Sequence, residues 1–262
     1  MIKADFHTHS YFSGDSDEPT REMVKSAIEK GLKILCLTEH HDLDYPESGF
    51  EVNAKEYKNE LFRLKDEFSD KIDVLFGVEL GLMPQLSERL NNFVKEWNFD
   101  FIIGSSHLVD GKDPYYPEYF QTLGTKKGII RYFESILENI GAFSDFDVYG
   151  HLDYVVRYSA EKCYEPMDYR EIIDEILKKL ISMGKGIEIN TAGMKTLGYV
   201  HPNEFILRRY RELGGEIVTV GSDAHDKARV AADFDKAEIA LKNAGFEYYT
   251  VFKDRKPEFI RI

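Results

Sequence analysis

Short apolar runs alternate along the chain with longer amphipathic stretches. Seven runs stand out: Ile2 to His7, Lys33 to Thr38, Ile72 to Glu79, Phe99 to Ser105, Asp147 to His151, Gly186 to Asn190 and Glu216 to Gly221. Runs this short read as buried strands, and their spacing of roughly 30 to 50 residues is what strand–helix units need. The stretches between them read as helices. Ile172, Ile173, Ile176, Leu177, Leu180 and Ile181 recur at the helical period behind a start at Pro166, and Gly184 is expected to end that helix. Gly31, Gly141, Gly214 and Gly245 stand in the same place after other helical stretches, where a left-handed terminal residue is wanted.

Repeated strand-then-helix order predicts a parallel sheet with right-handed crossovers, either open or closed into a barrel. Polar residues able to bind metal follow nearly every run. That distribution suits a barrel, where side chains from many strand ends share one mouth, better than an open sheet with one switch point. The expectation is therefore an α/β barrel of about seven strands, with residues 1–262 as a single domain. Tyr248 to Phe252 and Phe259 to Ile262 flank Lys253 to Pro257 and predict a small terminal hairpin or strand. The longest stretch without a clear pattern, Val109 to Lys126, carries Pro114, Pro117 and several tyrosines and suits a functional loop over the mouth.

Composition narrows the function more than the fold. The chain is 43% hydrophobic and 31% charged, which argues against disorder, and its net charge of −13 argues against a broad nucleic-acid-binding face. A phosphate substrate stays open, because metal ions held by carboxylates reverse the local field. With no apolar run near membrane-spanning length and no signal-peptide pattern, the expected location is the cytoplasm, with no membrane partner. Cys36 and Cys163 are too few and too far apart for a disulfide framework or a zinc knuckle.

The strand ends hold the candidate chemistry. Asp5, His7 and His9 alternate, so in an extended strand they would point the same way as a comb of ligands. After the later runs come Thr38-Glu39-His40-His41-Asp42, Gly77-Val78-Glu79, Ser105-Ser106-His107, Gly150-His151-Leu152-Asp153, Asn190-Thr191 and Gly221-Ser222-Asp223-Ala224-His225. Seven of the eight histidines sit there. The exception, His201 beside Pro202 at a helix start, is expected on the surface. One catalytic ion takes three or four protein ligands, so this inventory points to two or three ions. Nitrogen and oxygen donors without thiolate suit Zn, Mn or Fe(II). Two cationic side chains follow strand ends closely enough to reach the mouth: Arg157, whose guanidinium would match phosphate bidentately, and Lys195.

Asp5-Phe6-His7-Thr8-His9-Ser10, Glu39-His40, Gly77-Val78-Glu79, Ser106-His107, Gly150-His151 and Ser222-Asp223-Ala224-His225 together resemble the motifs of the PHP (polymerase and histidinol phosphatase) superfamily, in order and placement. Thr38 to Asp42, Ser13-Gly14-Asp15-Ser16 and the chain length look most like its histidinol-phosphate phosphatase branch. The resemblance implies a distorted, TIM-like (β/α)7 barrel with three divalent ions at the C-terminal mouth. It implies His7, His9, Glu79 and Asp223 around a first ion, Glu79 bridging to a second held by His107 and His151, and Asp15, His40 and His225 around a third. Asp17 competes with Asp15 for its place, and Asp5 would support the ligands from behind.

The implied activity is hydrolysis of L-histidinol phosphate to L-histidinol and phosphate in histidine biosynthesis, by a hydroxide bridging two ions. Glu79 and Arg157 are the expected catalytic side chains. Carboxylates or aromatics of the Val109 to Lys126 loop, Asp113 and Glu118 among them, would face the cationic end of that substrate. Two readings compete: a phosphoesterase for another small ester, such as a nucleotide or sugar phosphate, and a non-catalytic module serving a polymerase. The filled ligand positions argue against the second.

Overall fold

The computed structural model describes residues 1–262. Each of the seven apolar runs contributes a strand: β1 (Ala4–Asp5), β2 (Ile34–His41), β3 (Asp73–Gly81), β4 (Phe101–Ser105), β5 (Val148–Tyr149), β6 (Gly186–Asn190) and β7 (Val218–Gly221). All are parallel neighbours in chain order. The two edges then meet. Phe6 N donates to Val220 O (2.9 Å), Asp223 N to His7 O (2.8 Å) and His9 N to Ala224 O (2.9 Å). The rings of Phe6 on β1's side and Phe101 on β4 touch edge to face at 5.0 Å, although these strands are not neighbours in the sheet, so the contact crosses the interior. The sheet is thus a seven-stranded TIM-like barrel.

Helices α1 (Thr20–Glu29), α2 (Ala54–Glu67), α3 (Ser87–Glu96), α4 (Glu118–Leu123), α5 (Thr125–Ala142), α6 (Arg170–Ser182), α7 (Gly193–Thr196), α8 (Glu204–Glu212) and α9 (Phe234–Asn243) fill the connections. Their apolar faces and the sheet share one cluster of 71 buried hydrophobic residues, so no part of the barrel rests on a separate core. None of the helices is long and apolar enough to cross a membrane.

Helix ends follow the expected signals with one exception. A single 3₁₀ turn at Pro166–Tyr169 leads into α6, and Gly184 beyond it has φ +67°. Gly31, Gly214 and Gly245 are likewise left-handed. Gly141 is not: it lies inside the last turn of α5, which closes at Phe143 through a bond from Phe143 N to Asn139 O (2.9 Å). The Val109 to Lys126 stretch also holds more regular structure than its composition signals, since α4 lies within it.

The tail forms the expected hairpin, β8 (Tyr248–Lys253) with β9 (Lys256–Arg261), around a tight turn in which Asp254 and Arg255 both have positive φ. It covers the end of the barrel opposite the mouth. Arg255 N donates to Asp100 O (2.9 Å), its guanidinium reaches Asp147 (2.6 Å) and Asp145 (3.1 Å), and Thr250 Oγ1 accepts from Val218 N (3.1 Å). Asp100, Asp147 and Val218 stand at the starts of β4, β5 and β7. Asp147 is buried, and Arg255 is the cation that compensates it.

Arg255→Ala is therefore expected to destabilise by about 1–3 kcal/mol, a fall of roughly 2–4 °C in Tm per kcal/mol, with kcat/KM unchanged. Thermal unfolding monitored by circular dichroism beside an activity assay checks it. A variant with wild-type Tm would show that the hairpin does not brace the barrel.

Candidate metal centre

Glu79, near the end of β3, is fully buried and stands where five imidazoles converge. Its two oxygens face different partners. Oε2 lies 3.1 Å from His7 Nε2, 3.5 Å from His9 Nε2 and 3.2 Å from His40 Nδ1. Oε1 lies 2.9 Å from His151 Nε2 and 3.2 Å from His107 Nε2, and also accepts Ser105 Oγ (2.7 Å). Asp223 Oδ1 completes the first group, 3.7 Å from His7 Nε2 and 3.5 Å from His9 Nε2. A third group gathers at the rim, where Asp15 Oδ2 lies 3.0 Å from His225 Nε2 and 3.6 Å from His40 Nε2. All nine expected ligand residues thus lie in one connected cluster, and Asp17, two residues from Asp15, is exposed and outside it.

Strand alternation explains why only some neighbours take part. At the end of β2, His40 and Asp42, just beyond the strand, share the face toward the mouth, whereas His41 between them turns outward and stacks on Phe93 of α3, with ring centres 3.6 Å apart. Burial there holds His41 neutral, pushing its pKa down to about 4. His151 and Asp223 reach the centre from φ +23° and +53°, conformations that side chains other than glycine seldom adopt and that persist where the surroundings enforce them. Glu188 Oε2 accepts from His151 N (3.1 Å) and His7 O accepts from Asp223 N (2.8 Å), which supply that enforcement.

A ring of further carboxylates orients the imidazoles. Glu188 on β6 accepts from His7 Nδ1 (2.6 Å), and Asp42 from His107 Nδ1 (2.7 Å), leaving the Nε2 of each free to face Glu79. Glu39 takes Ser10 N, Ser10 Oγ and Ser13 Oγ and so shapes the loop that carries Asp15. Asp5 departs from the comb that its spacing predicts. Its carboxylate turns away from the imidazoles to Ser222 N (2.9 Å), Ser222 Oγ (2.6 Å) and Ala231 N (2.9 Å), holding the loop that presents Asp223. Gly221 makes room for this arrangement, since a Cβ there would lie 2.3 Å from His7 Cβ and 2.4 Å from Glu188 Oε1.

Glu188 escaped the sequence reading, although Gly-Ile-Glu-Ile-Asn carries its signal. Ile187 and Ile189 alternate with Glu188 and Asn190, which predicts one polar face on an otherwise apolar strand. His201 is a correction of a different kind. It is not on the surface but fully buried, with Nδ1 2.6 Å from Asp153 Oδ1.

The donor set fits divalent cations. His7 Nε2, His9 Nε2, His225 Nε2 and Glu79 Oε2 are buried without a hydrogen-bond partner while aimed into the cluster, a state that costs free energy unless something satisfies it. The electrostatics agree. Burial opposes charge throughout, yet the carboxylates of Glu188, Glu79 and Asp223 push His7 well above the ordinary imidazole range, and Glu79, Asp15 and Asp42 push His40 to about 10. In return, His7, His107 and His40 overcome the burial of Glu79 and hold it well below the usual carboxylate range. Burial, and after it the neighbouring His40 and His225, drive His9 the other way, to about 3. A cluster this rich in carboxylate attracts cations, and metal ions compete for it with protons.

Above the cluster opens a cavity of about 390 Å³. One side carries Arg157, on the 3₁₀ turn Tyr154–Tyr158, with its guanidinium 5.1 Å from the Tyr154 ring centre and 5.3 Å from that of Tyr158. Arg157 has no carboxylate partner, and its Nε is buried and unpaired. Two further loops line the same cavity, with Tyr45 donating to Asp113 and Tyr116 to Glu47, and the Tyr115 ring meets Tyr158 edge to face at 5.5 Å. Asp113 thus faces the cavity, whereas Glu118 sits outside it at the start of α4, and Lys195 is exposed on α7 and does not line it.

Comparison with known proteins agrees with this geometry. The family model of the PHP domain matches residues 5–192. A histidinol-phosphatase of Lactococcus lactis subsp. lactis is 36% identical over 98% of this chain and 96% of its own. A probable histidinol-phosphatase of Clostridium acetobutylicum is 34% identical over 93% and 94%. The crystal structure of the histidinol phosphate phosphatase of L. lactis subsp. lactis, complexed with Zn, L-histidinol and phosphate, superposes with a TM-score of 0.90 at 33% identity, covering 98% of both chains. A structure of the putative histidinol phosphatase of Listeria monocytogenes shares the fold, with a TM-score of 0.80 at 19% identity over 89% of this chain and 99% of its own.

Glu188→Gln keeps the shape of the residue that orients His7 but removes its charge, so affinity for divalent metal should fall about 10- to 100-fold with the fold intact. Titration of apoprotein with Zn²⁺ against a competing chelator measures it, and wild-type affinity would show that Glu188 does not support the site.

Proposed function

The chain belongs to the PHP domain family, and from that premise we infer that it is a metal-dependent phosphatase hydrolysing L-histidinol phosphate to L-histidinol and phosphate, a step of histidine biosynthesis. The observation that carries this reading is a single cavity lined by two unlike sets of groups. One set is the imidazole–carboxylate cluster with an unpaired guanidinium, the other the carboxylates of Asp113 and Glu47 with Tyr45, Tyr115 and Tyr116. The substrate has the matching polarity, a dianion at one end and an ammonium with an imidazole at the other.

The chain binds divalent metal through the cluster. The finer assignment proposed is three ions, drawn from Zn, Mn or Fe: His7, His9, Glu79 and Asp223 for one, Glu79, His107 and His151 for the second, and Asp15, His40 and His225 for the third. Ions so held supply Lewis acidity, acidifying water and neutralising a phosphate dianion that would otherwise repel an anionic nucleophile. The chain's own residues do the positioning. Glu79 spans two imidazole groups and keeps their occupants close together. Arg157 holds phosphate oxygens with a planar donor pair that needs no release from another carboxylate first. Asp113 and Glu47, fixed by Tyr45 and Tyr116, receive the cationic end, and the tyrosines add ring faces to it.

Elemental analysis of protein made in metal-rich medium should give about three ions per chain, and Glu79→Gln should lower metal content and turnover together. One ion or fewer with full activity would contradict the trinuclear assignment, and near-normal activity in Glu79→Gln would contradict the bridge.

Kinetics on two esters separate the two sets of groups. Arg157→Ala should lower kcat/KM about 10- to 100-fold for histidinol phosphate and for a simple monoester alike. Asp113→Asn should lower it for histidinol phosphate and spare the simple ester. If the wild type turns over simple, nucleotide or sugar esters as efficiently as histidinol phosphate, the generic phosphoesterase reading replaces this one. If no ester is hydrolysed with or without metal, the non-catalytic reading does.

A further inference from the structure

Asp153 lies two residues beyond His151, is fully buried, and has no part in the chemistry assigned so far. Its carboxylate gathers three donors: His201 Nδ1 (2.6 Å) on Oδ1, and Asn203 N (2.9 Å) and Tyr164 OH (2.9 Å) on Oδ2. They arrive from two sides. Tyr164 follows the turn that carries Arg157, whereas His201 and Asn203 belong to the segment between α7 and α8. His201 is in turn locked to the end of β6, because Asn190 N donates to His201 O (2.7 Å) and His201 N to Asn190 O (2.8 Å). Asn190 then donates to Asp223 (3.2 Å) and Glu188 (3.3 Å). One buried carboxylate therefore ties the start of the 154–158 turn to the β6 end of the mouth.

The turn needs such a tie. It is a five-residue 3₁₀ segment, held internally by single bonds such as Val156 N to Asp153 O (3.0 Å), and segments of this kind have little stability of their own. Arg157 has no carboxylate to aim it, only the ring faces of Tyr154 and Tyr158 on the same turn. Where its guanidinium points depends on where the turn is anchored. A buried carboxylate is costly unless fully paired, and this one is paired to the two segments whose relative placement sets the phosphate end of the cavity. We propose that Asp153, through His201, is a positioning residue for phosphate recognition, holding the turn so that Arg157 faces the bound phosphate. The proposal rests on the reading of Arg157 as the phosphate-binding cation.

The test is calorimetric binding of inorganic phosphate to the metal-loaded enzyme, with kinetics and metal content measured on the same preparations. Asp153→Asn should weaken phosphate binding roughly tenfold and raise KM more than it lowers kcat, at unchanged metal content. In the Arg157→Ala background the same change should cost less than about twofold, because the group it positions is gone. His201→Ala should reproduce the loss. His201→Asn, whose amide can donate to Asp153, should recover most of it, and this pair carries the test if Asp153→Asn does not fold. Wild-type phosphate affinity in Asp153→Asn, a loss that persists at full size without Arg157, or a fall in metal content would each overturn the proposal. Failure of the Arg157 reading shows separately: Arg157→Ala alone would then bind phosphate like the wild type.

Discussion

An isolated carboxylate buried at the position of Glu79 would cost several kcal/mol, and the mouth of this barrel is built around removing that cost. Five imidazoles face the two oxygens of Glu79, three toward Oε2 and two toward Oε1. Shared between two groups of donors, the carboxylate stands where the proposed assignment needs a bridge between two cations. Each neighbouring feature follows from that need. The imidazoles must present one nitrogen inward, so Glu188 and Asp42 take the other. His151 and Asp223 must reach the centre from unfavourable backbone conformations, so Glu188 and the His7 carbonyl hold them there.

The barrel makes this convergence possible because parallel strands deliver their C-terminal ends to one mouth. β1 and β5 are the extreme cases. Each is a regular strand for only two residues, and the chain just beyond delivers a histidine to the centre, His7 in one and His151 in the other. The regularity given up there is supplied at the opposite end, where the terminal hairpin and Arg255 compensate the buried Asp147 and tie together the starts of three strands. Stability and chemistry thus occupy opposite ends of the same sheet.

Much of this was legible in the sequence because the signals are periodic. Seven apolar runs became seven strands, and the clustering of histidines behind them marked the mouth. The supporting residues were harder to read. Glu188 sits inside a strand where its charge resembles an interruption, and only its alternation with Ile187 and Ile189 discloses an inward face. His41 and His40 are adjacent and alike in sequence, and strand parity alone sends one to Phe93 and the other to the centre. His201 looked like a surface residue because it stands beside a helix start. Its burial depends on Asp153, a partner 48 residues away that no local pattern connects to it. Asp5 kept its place but not its direction, since the backbone donors of Ser222 and Ala231 come from the far end of the chain.

The proposed trinuclear assignment turns on Glu79 serving two cations at once. Anomalous diffraction from crystals grown with Zn²⁺, recorded on both sides of the zinc absorption edge, addresses this directly. Separate peaks are expected on the two sides of the Glu79 carboxylate, one among His7, His9 and Asp223 and one between His107 and His151. A single peak on one side of fully ordered Glu79, with the other imidazole group empty at saturating metal, would contradict the account.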